Sequence, residues 1–439
     1  MDTSKSRAAW SGKAGRLVAA LAALSLALTL GLSLVASAAP VPVRFYYPVQ
    51  VAGPLARVID GMVEEFNRTH PDIQVIPVYS GNYDETMQKA QTAAMSGNPP
   101  DVAVLLAIDV FTLTDANLIV PLDELAAKEP GYLEDFHEGF LENSYLYGRL
   151  WGIPFQRSVP LFYYNRDMFR AAGLDPNRPP ETWDELVEYS RRLTVRDSAG
   201  RVERWGHENI TEDTWMIQAF ALQAGGTLMS PNGDEAYFTS PEWVEALQFM
   251  VDLANKHQVM PRHRYYGDAS SDFVAGRAAT MYNSSGSLSF VRSSAKFDFG
   301  VSPLPGYRTN LVPTGGGNFY IFRGIPAERQ RAAWEFIKWM TTPENAARWS
   351  IASGYIPVRK SAYETAAYQQ YLAQFPQAKA AREQLAWARK EMAFHNNQQV
   401  RELLLTAQAE ALDEVAPPAQ ILARLQTQVE RILRPFKGR

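Results

Sequence analysis

Between Val41 and Leu106 the hydrophobic pattern changes period repeatedly, and that rhythm limits the folds open to the chain. Val41 to Tyr47 reads as a strand. Leu55, Val58, Ile59, Met62, Val63 and Phe66 then fall at helical spacing, opened by Gly53-Pro54 and closed between Asn67 and Pro71. Ile73 to Tyr79 returns to a strand, and a helix is predicted over about Asp84 to Met95, stopped by Gly97, Asn98, Pro99 and Pro100. Val102 to Leu106 is a short continuous apolar run. A β-α-β-α-β beginning predicts an α/β fold with a mostly parallel sheet covered by helices. With 439 residues there is room for two or three domains.

Trp151 to Asn165, WGIPFQRSVPLFYYN, breaks the rhythm. It is extended, holds two prolines and alternates apolar with polar, as chain crossing from one lobe to another would. A second α/β segment follows. Thr182-Trp183-Asp184-Glu185 has the capping-box pattern. Helices are predicted over Trp215–Ala224, Glu242–Lys256 and Ser271–Ala275. From Ala279 to Phe290 an apolar run turns into Asn283-Ser284-Ser285-Gly286-Ser287 and then resumes at helical spacing. That is a strand delivering its end to a helix start, either an ordinary capped loop or a place for an anionic or polyhydroxylated ligand. Phe297–Pro303 and Asn318–Phe322 read as strands, with Gly315-Gly316-Gly317 between them. Helices are then expected over about Glu328–Thr341, Glu344–Ala352, Ala378–Ala393, Val400–Val415 and Ala419–Leu433.

The N-terminus indicates export. Lys5, Arg7, Lys13 and Arg16 precede an apolar run from Leu17 to Val35, followed by Ala36-Ser37-Ala38. This is the pattern of a secretory signal peptide over residues 1–38, cut after Ala38, with an uncleaved anchor as the alternative. Removing four cations and one anion makes the formal charge more negative than the −4 of the whole chain. Such a balance argues against nucleic acid, which requires a basic face. The chain has no cysteine, which excludes disulfides, thiolate metal sites, cysteine nucleophiles and a lipidated cysteine anchor.

Catalytic motifs are missing. His207-Glu208 lacks the second His of HExxH, and His257 and His263 share no helical face. Ser284 to Ser287 is not a G-x-S-x-G elbow. Gly315-Gly316-Gly317 is followed by no Gly-Lys-Ser/Thr, so it is a tight turn or a close backbone approach to an anion. Neither a metal nor a cofactor is expected. A secreted glycoside or phosphoester hydrolase, the reading from another class, would need a carboxylate pair or a metal cluster in a cleft. Aromatic residues are more suggestive. Tyr46, Tyr83, Trp183, Trp215, Tyr282 and Tyr355 stand beside turn or polar signals rather than inside helical stripes. A sugar or polyol site needs such faces next to hydroxyl and amide donors.

Several blocks carry a resemblance that runs over essentially all of the chain after residue 38. They are FNRTHPDIQVIPVYSGNYDETM, SGNPPDV, IPFQRSVPLFYYNRDMFRAAGLDPNRPPETWDEL, GRAATMYNSSGSLSFVRSSAKFDFGVSPLPG, GGGNFYIF, ENAARWSIASGYIPVRKSAYE and NNQQVREL. In order and spacing the chain resembles the family 1 extracellular solute-binding proteins of ABC importers, and among them the glycerol-phosphate binders. The resemblance implies a two-lobed periplasmic-binding-protein fold of class II type, its lobes hinged about a ligand cleft. One lobe would take residues 39–157 and 313–343, the other 158–312 and 344–439.

It further implies a monomeric, exported, non-catalytic protein that hands a small molecule to membrane permease subunits. The family pocket falls on Tyr83, Ser158, Trp183, Ser284, Gly316, Tyr355 and Arg401. In that reading Arg401 pairs with phosphate. Ser158, Ser284 and Tyr355 offer hydroxyls, Gly316 a backbone N–H, and Tyr83 and Trp183 wall the glycerol part. A pocket glutamate of the family falls at Ala107 here, with Asp109 two residues on as a possible substitute. Arg157 adds a cation beside Ser158. The implied ligand is sn-glycerol 3-phosphate or a glycerophosphodiester such as glycerophosphocholine, with a neutral oligosaccharide as the rival.

Overall fold

The structure is a computed structural model that describes residues 39–51 and 53–438. The signal-peptide expectation, on residues 1–38, lies outside the described residues. Helix Leu55–Thr69 buries five apolar side chains, Leu55, Ile59, Met62, Val63 and Phe66, in the core. Strand Val41–Tyr47 does the same with Val43, Phe45 and Tyr47 at alternate positions. Helix Tyr83–Met95 is held at its start by Asn82. The Asn82 side chain accepts from the Glu85 N–H, and the Glu85 carboxylate accepts from the Asn82 N–H, both at 2.9 Å.

These elements build a five-stranded sheet in the order Ile73–Tyr79, Val41–Tyr47, Val102–Leu106, Gly315–Ile321, Ile153–Ser158. The first three strands are parallel, as the opening rhythm predicts. The last two are antiparallel to their neighbours, so the sheet is mixed rather than mostly parallel. The difference arises because those strands arrive from distant chain rather than from a β-α-β crossover. A second, antiparallel sheet has Pro160–Asn165 at its centre, flanked by Thr280–Ser284 and Phe299–Ser302. The chain thus leaves the first sheet at Ser158 and enters the second at Pro160, with Val159 between. WGIPFQRSVPLFYYN is the crossing that its pattern suggests. The chain returns between Ser302 and Gly315.

Aromatic contacts run through the core beneath both sheets. In the first, Phe155 stacks on Phe319 at 4.5 Å and Phe45 meets Phe336 edge-on at 5.0 Å. In the second, Trp183 lies flat between Phe249 at 4.0 Å and Tyr307 at 4.5 Å.

Two expectations about elements fail for tertiary reasons. The Gly315–Gly317 run is not a turn: it is the first part of strand Gly315–Ile321. The helix expected over Ala378–Ala393 stops after Lys379–Leu385. Ala388–Arg389 then pairs in parallel with Val312–Pro313, and the Met392 N–H donates to the Gln218 side chain at 2.9 Å. Good helix formers here are overridden by buried polar partners on other elements.

Candidate functional site

The two sheets point strand ends at one cleft. It encloses about 730 Å³ including its open mouth. Tyr83, Ser158, Ser284, Gly316, Tyr355 and Arg401 all line it, together with Gln50, Asp84, Glu212, Asp213, Trp215, Tyr265, Tyr266, Gly315 and Glu391.

Each of these residues is placed by its local structure. Tyr83 is the first residue of its helix, fixed by the Asn82 cap, and its hydroxyl donates to Gln156 Oε1 at 2.8 Å. Ser158 ends its strand directly opposite Gly315. Ser284 ends strand Thr280–Ser284 and caps the short turn that follows, its Oγ accepting from the Gly286 N–H at 3.1 Å. Tyr355 follows the left-handed Gly354 that closes helix Pro343–Ser353. Its ring lies over Gly286, where a Cβ would stand 3.0 Å from the phenol carbon. Gly316 has φ +93°, and a Cβ there would collide with the Gln156 carbonyl. That position requires glycine. The strand can therefore run close to Gln156 at the cleft's edge.

The charged part of the lining is dominated by carboxylates. Arg401, on helix Asn397–Leu412, reaches Asp84 Oδ1 at 3.0 Å and Asp213 Oδ2 at 3.7 Å. Burial opposes the Arg401 charge, but Asp213, Asp84 and Asp109 outweigh it and raise its pKa. Burial raises the Asp213 carboxyl in spite of Arg401. It also pushes Glu391 up to about 8, against the pull of Arg157 and Arg401.

Three of the expected site residues, Trp183 from the resemblance and the added candidates Arg157 and Asp109, sit elsewhere. Trp183 is buried in its stack with Phe249 and Tyr307, with its indole N–H on Gln223 Oε1 at 2.8 Å, and it does not line the cleft. The tryptophan in the wall is Trp215, at the start of helix Trp215–Gln223, its N–H on the Thr314 carbonyl at 2.9 Å. Gly315 leaves room for that indole. Arg157 lies beneath strand Gly315–Ile321, fully buried. It donates to the Gly316 carbonyl at 3.2 Å and to Thr314 Oγ1 at 2.9 Å, with Phe140 5.3 Å away. It supports the wall from behind. Asp109 is buried beside the cleft without lining it, and burial raises it to about 7. At Ala107, also fully buried, the only polar groups are those of the backbone, and its carbonyl accepts from Tyr320.

Sequence reasoning missed Glu391, Asp213 and Tyr266. Trp215 carried the turn-adjacent aromatic signal, but the resemblance pointed to Trp183 instead. Glu391 had no signal, because its segment reads as helix.

Comparison with known proteins agrees with this architecture. The sequence profile of the bacterial extracellular solute-binding proteins matches residues 61–377. The chain is 29% identical to the sn-glycerol-3-phosphate-binding periplasmic protein UgpB of Escherichia coli strain K12, covering 82% of this chain and 84% of that one. Its fold superposes on UgpB from Mycobacterium tuberculosis in complex with glycerophosphocholine with a TM-score of 0.80 at 27% identity, covering 90% and 99% of the two chains. Maltose-bound MalE3 of T. maritima shares the fold, with a TM-score of 0.76 at 24% identity over 89% of this chain and 99% of that one. A two-lobed α/β protein with a polar cleft at its strand ends, matched by the family profile over most of its length, is a member of the bacterial extracellular solute-binding protein family.

Proposed function

We propose that the chain captures a glycerophosphodiester in the cleft and delivers it to the permease of an ABC importer, acting by binding and release rather than turnover. The ligand contacts are Tyr83, Ser158, Ser284, Gly316, Tyr355 and Arg401, with Trp215 in the place assigned to Trp183. The lobes are residues 39–157 with 313–343 and residues 158–312 with 344–439. They close on the ligand by moving about the strand crossings. The observation that carries the reading is Arg401, a charged fork held at the cleft by Asp84 and Asp213 amid tyrosine and serine hydroxyls. Asp84 and Asp213 hold its two terminal nitrogens, and its Nε is left without a hydrogen-bond partner, a donor for a phosphate oxygen. The UgpB relatives, one of them in complex with glycerophosphocholine, support the same ligand class.

The rival is a neutral oligosaccharide, favoured by aromatic faces set among carboxylates, Trp215 beside Asp213 and Glu391. A thermal-shift panel of glycerophosphocholine, sn-glycerol 3-phosphate, maltose and maltotriose separates the two. A ligand at 100 times its Kd stabilises by about 2.7 kcal/mol. Upward shifts with the phosphorylated glycerols and none with the sugars are expected; stabilisation by sugars alone would overturn the proposal.

A further inference from the structure

A second pocket, of about 800 Å³ with its open mouth, is lined by residues from distant stretches of chain. Residues 135–137 and 358–360 run against each other as a short antiparallel ladder. Phe136 pairs with Arg359, the His137 N–H donates to the Val358 carbonyl at 3.2 Å, and the Lys360 N–H donates to the Asp135 carbonyl at 2.6 Å. The ladder brings His137 and Lys360 into one lining, and helix Lys379–Leu385 adds Arg382. This pocket shares no lining residue with the cleft.

Its charges are unevenly paired. Asp135 is occupied: Arg359 Nε reaches it at 2.7 Å, and the Ser361 N–H donates to it at 2.9 Å. Lys360 Nζ donates to the Glu134 carbonyl at 3.0 Å, a neutral acceptor, which leaves two of its three protons. Arg382 is exposed and has its guanidinium over the Tyr363 ring at 4.6 Å; among the described residues it makes no hydrogen bond or ion pair. Such stacking uses the face of the guanidinium and leaves the N–H groups of its edge free. Glu364 is the lining carboxylate without a cation. It is exposed, as are Glu134 and Glu138 on the His137 stretch, and solvent screens all three. His137 registers the balance. Burial, Lys360 and Arg382 together push its pKa down to about 4, against the pull of Asp135.

We propose that this pocket is an oxyanion site separate from the cleft, taking a phosphate or sulfate group between the Lys360 ammonium, the edge of the Arg382 guanidinium and the His137 imidazole. An anion there removes the repulsion that keeps His137 neutral. The ring takes up a proton from solvent as the anion binds and becomes a further donor. Anion affinity therefore rises as pH falls through the raised His137 value. A free oxyanion and the phosphate of an anionic lipid headgroup present the same chemistry to these three groups.

The His137 ring is followed by NMR in the full chain, its signal assigned by its loss in His137→Gln. Sulfate is titrated against chloride at equal ionic strength, because simple screening of Lys360 and Arg382 also lifts the ring's pKa. Sulfate is expected to raise it saturably from about 4 to about 5 or above, and chloride to move it less. Arg382→Gln and Lys360→Gln alter exposed side chains. Each should weaken sulfate binding threefold or more, with Tm changed by less than about 2 °C. A sulfate response no larger than that of chloride, or one that either variant leaves intact, would overturn the site. Flotation with vesicles of phosphatidylcholine, alone or with phosphatidylglycerol, separates the two sources of the anion. Retention on the anionic vesicles that sulfate competes away, and that the double variant loses, assigns the site to lipid headgroups. Sulfate binding without such retention assigns it to a free oxyanion.

Discussion

Gly316 shows how far a single residue can fix the cleft. Its φ of +93° and the Gln156 carbonyl behind it leave no room for a side chain. Gly316→Ala should therefore lower unfolding stability by about 2–4 kcal/mol in a denaturant titration, far more than an ordinary surface change. A loss under about 0.5 kcal/mol would mean the strand relaxes freely there. The glycine run was legible in the sequence as a place of close backbone approach. Its being a strand was not, because the partners that bring it close, Gln156 and Trp215, lie far away in the chain.

Buried carboxyls give a second residue-level prediction. Glu391 and Glu208, each about 8 against an ordinary 4.5, and Asp109, about 7 against 3.8, all hold protons in the folded state that the unfolded chain has released. Their stabilisation is present at low pH and is lost as pH rises through the folded values. His137 and His207 act oppositely, since burial lowers them to about 4 and about 3, but their effect is complete by about pH 6.5. The ligand-free protein should thus lose stability from about pH 6.5 to 8, by up to about 1.4 kcal/mol per pH unit for each carboxyl. In Glu391→Gln this slope should shrink by roughly a third. Calorimetric Tm values across that range measure it, and a flat or rising wild-type profile would contradict the burial argument.

Among the elements, those with strong local patterns were read almost to the residue. Val41–Tyr47, Ile73–Tyr79 and Val102–Leu106 stand where the apolar pattern put them. The segment after Leu385 was misread because its helix propensity is real but loses to Gln218, Asn143 and the Val312–Pro313 pairing. The Thr182 cap was half right. Thr182 Oγ1 accepts from the Glu185 N–H at 3.2 Å, yet the Glu185 carboxylate accepts from the Glu181 N–H at 2.8 Å rather than from that of Thr182. That helix start delivers Trp183 to the core rather than to the cleft. Trp183→Leu should accordingly cost about 2–4 kcal/mol of stability while leaving ligand affinity within about twofold. A tenfold loss of affinity in a folded variant, measured by calorimetry, would return Trp183 to the site.

At the scale of the whole molecule, two sheets joined by a crossing at Val159 place distant residues around one space. Tyr83 and Arg401 are more than 300 positions apart, yet the Asp84 beside Tyr83 reaches Arg401 at 3.0 Å. Gln50 reaches the Tyr265 hydroxyl across the same cleft at 2.6 Å. Local pattern alone does not foresee such juxtapositions; the family resemblance supplied six of the lining positions and missed the charge balance set by Asp213 and Glu391. The central claim is that this cleft takes the phosphate of a glycerophosphodiester on Arg401. The most direct test is a crystal structure of the chain grown with glycerophosphocholine. It should show the phosphate within hydrogen-bond distance of the Arg401 guanidinium, between the walls of Ser284, Gly316 and Tyr355. A ligand bound outside the cleft, or one inside it whose phosphate avoids Arg401, would contradict the claim.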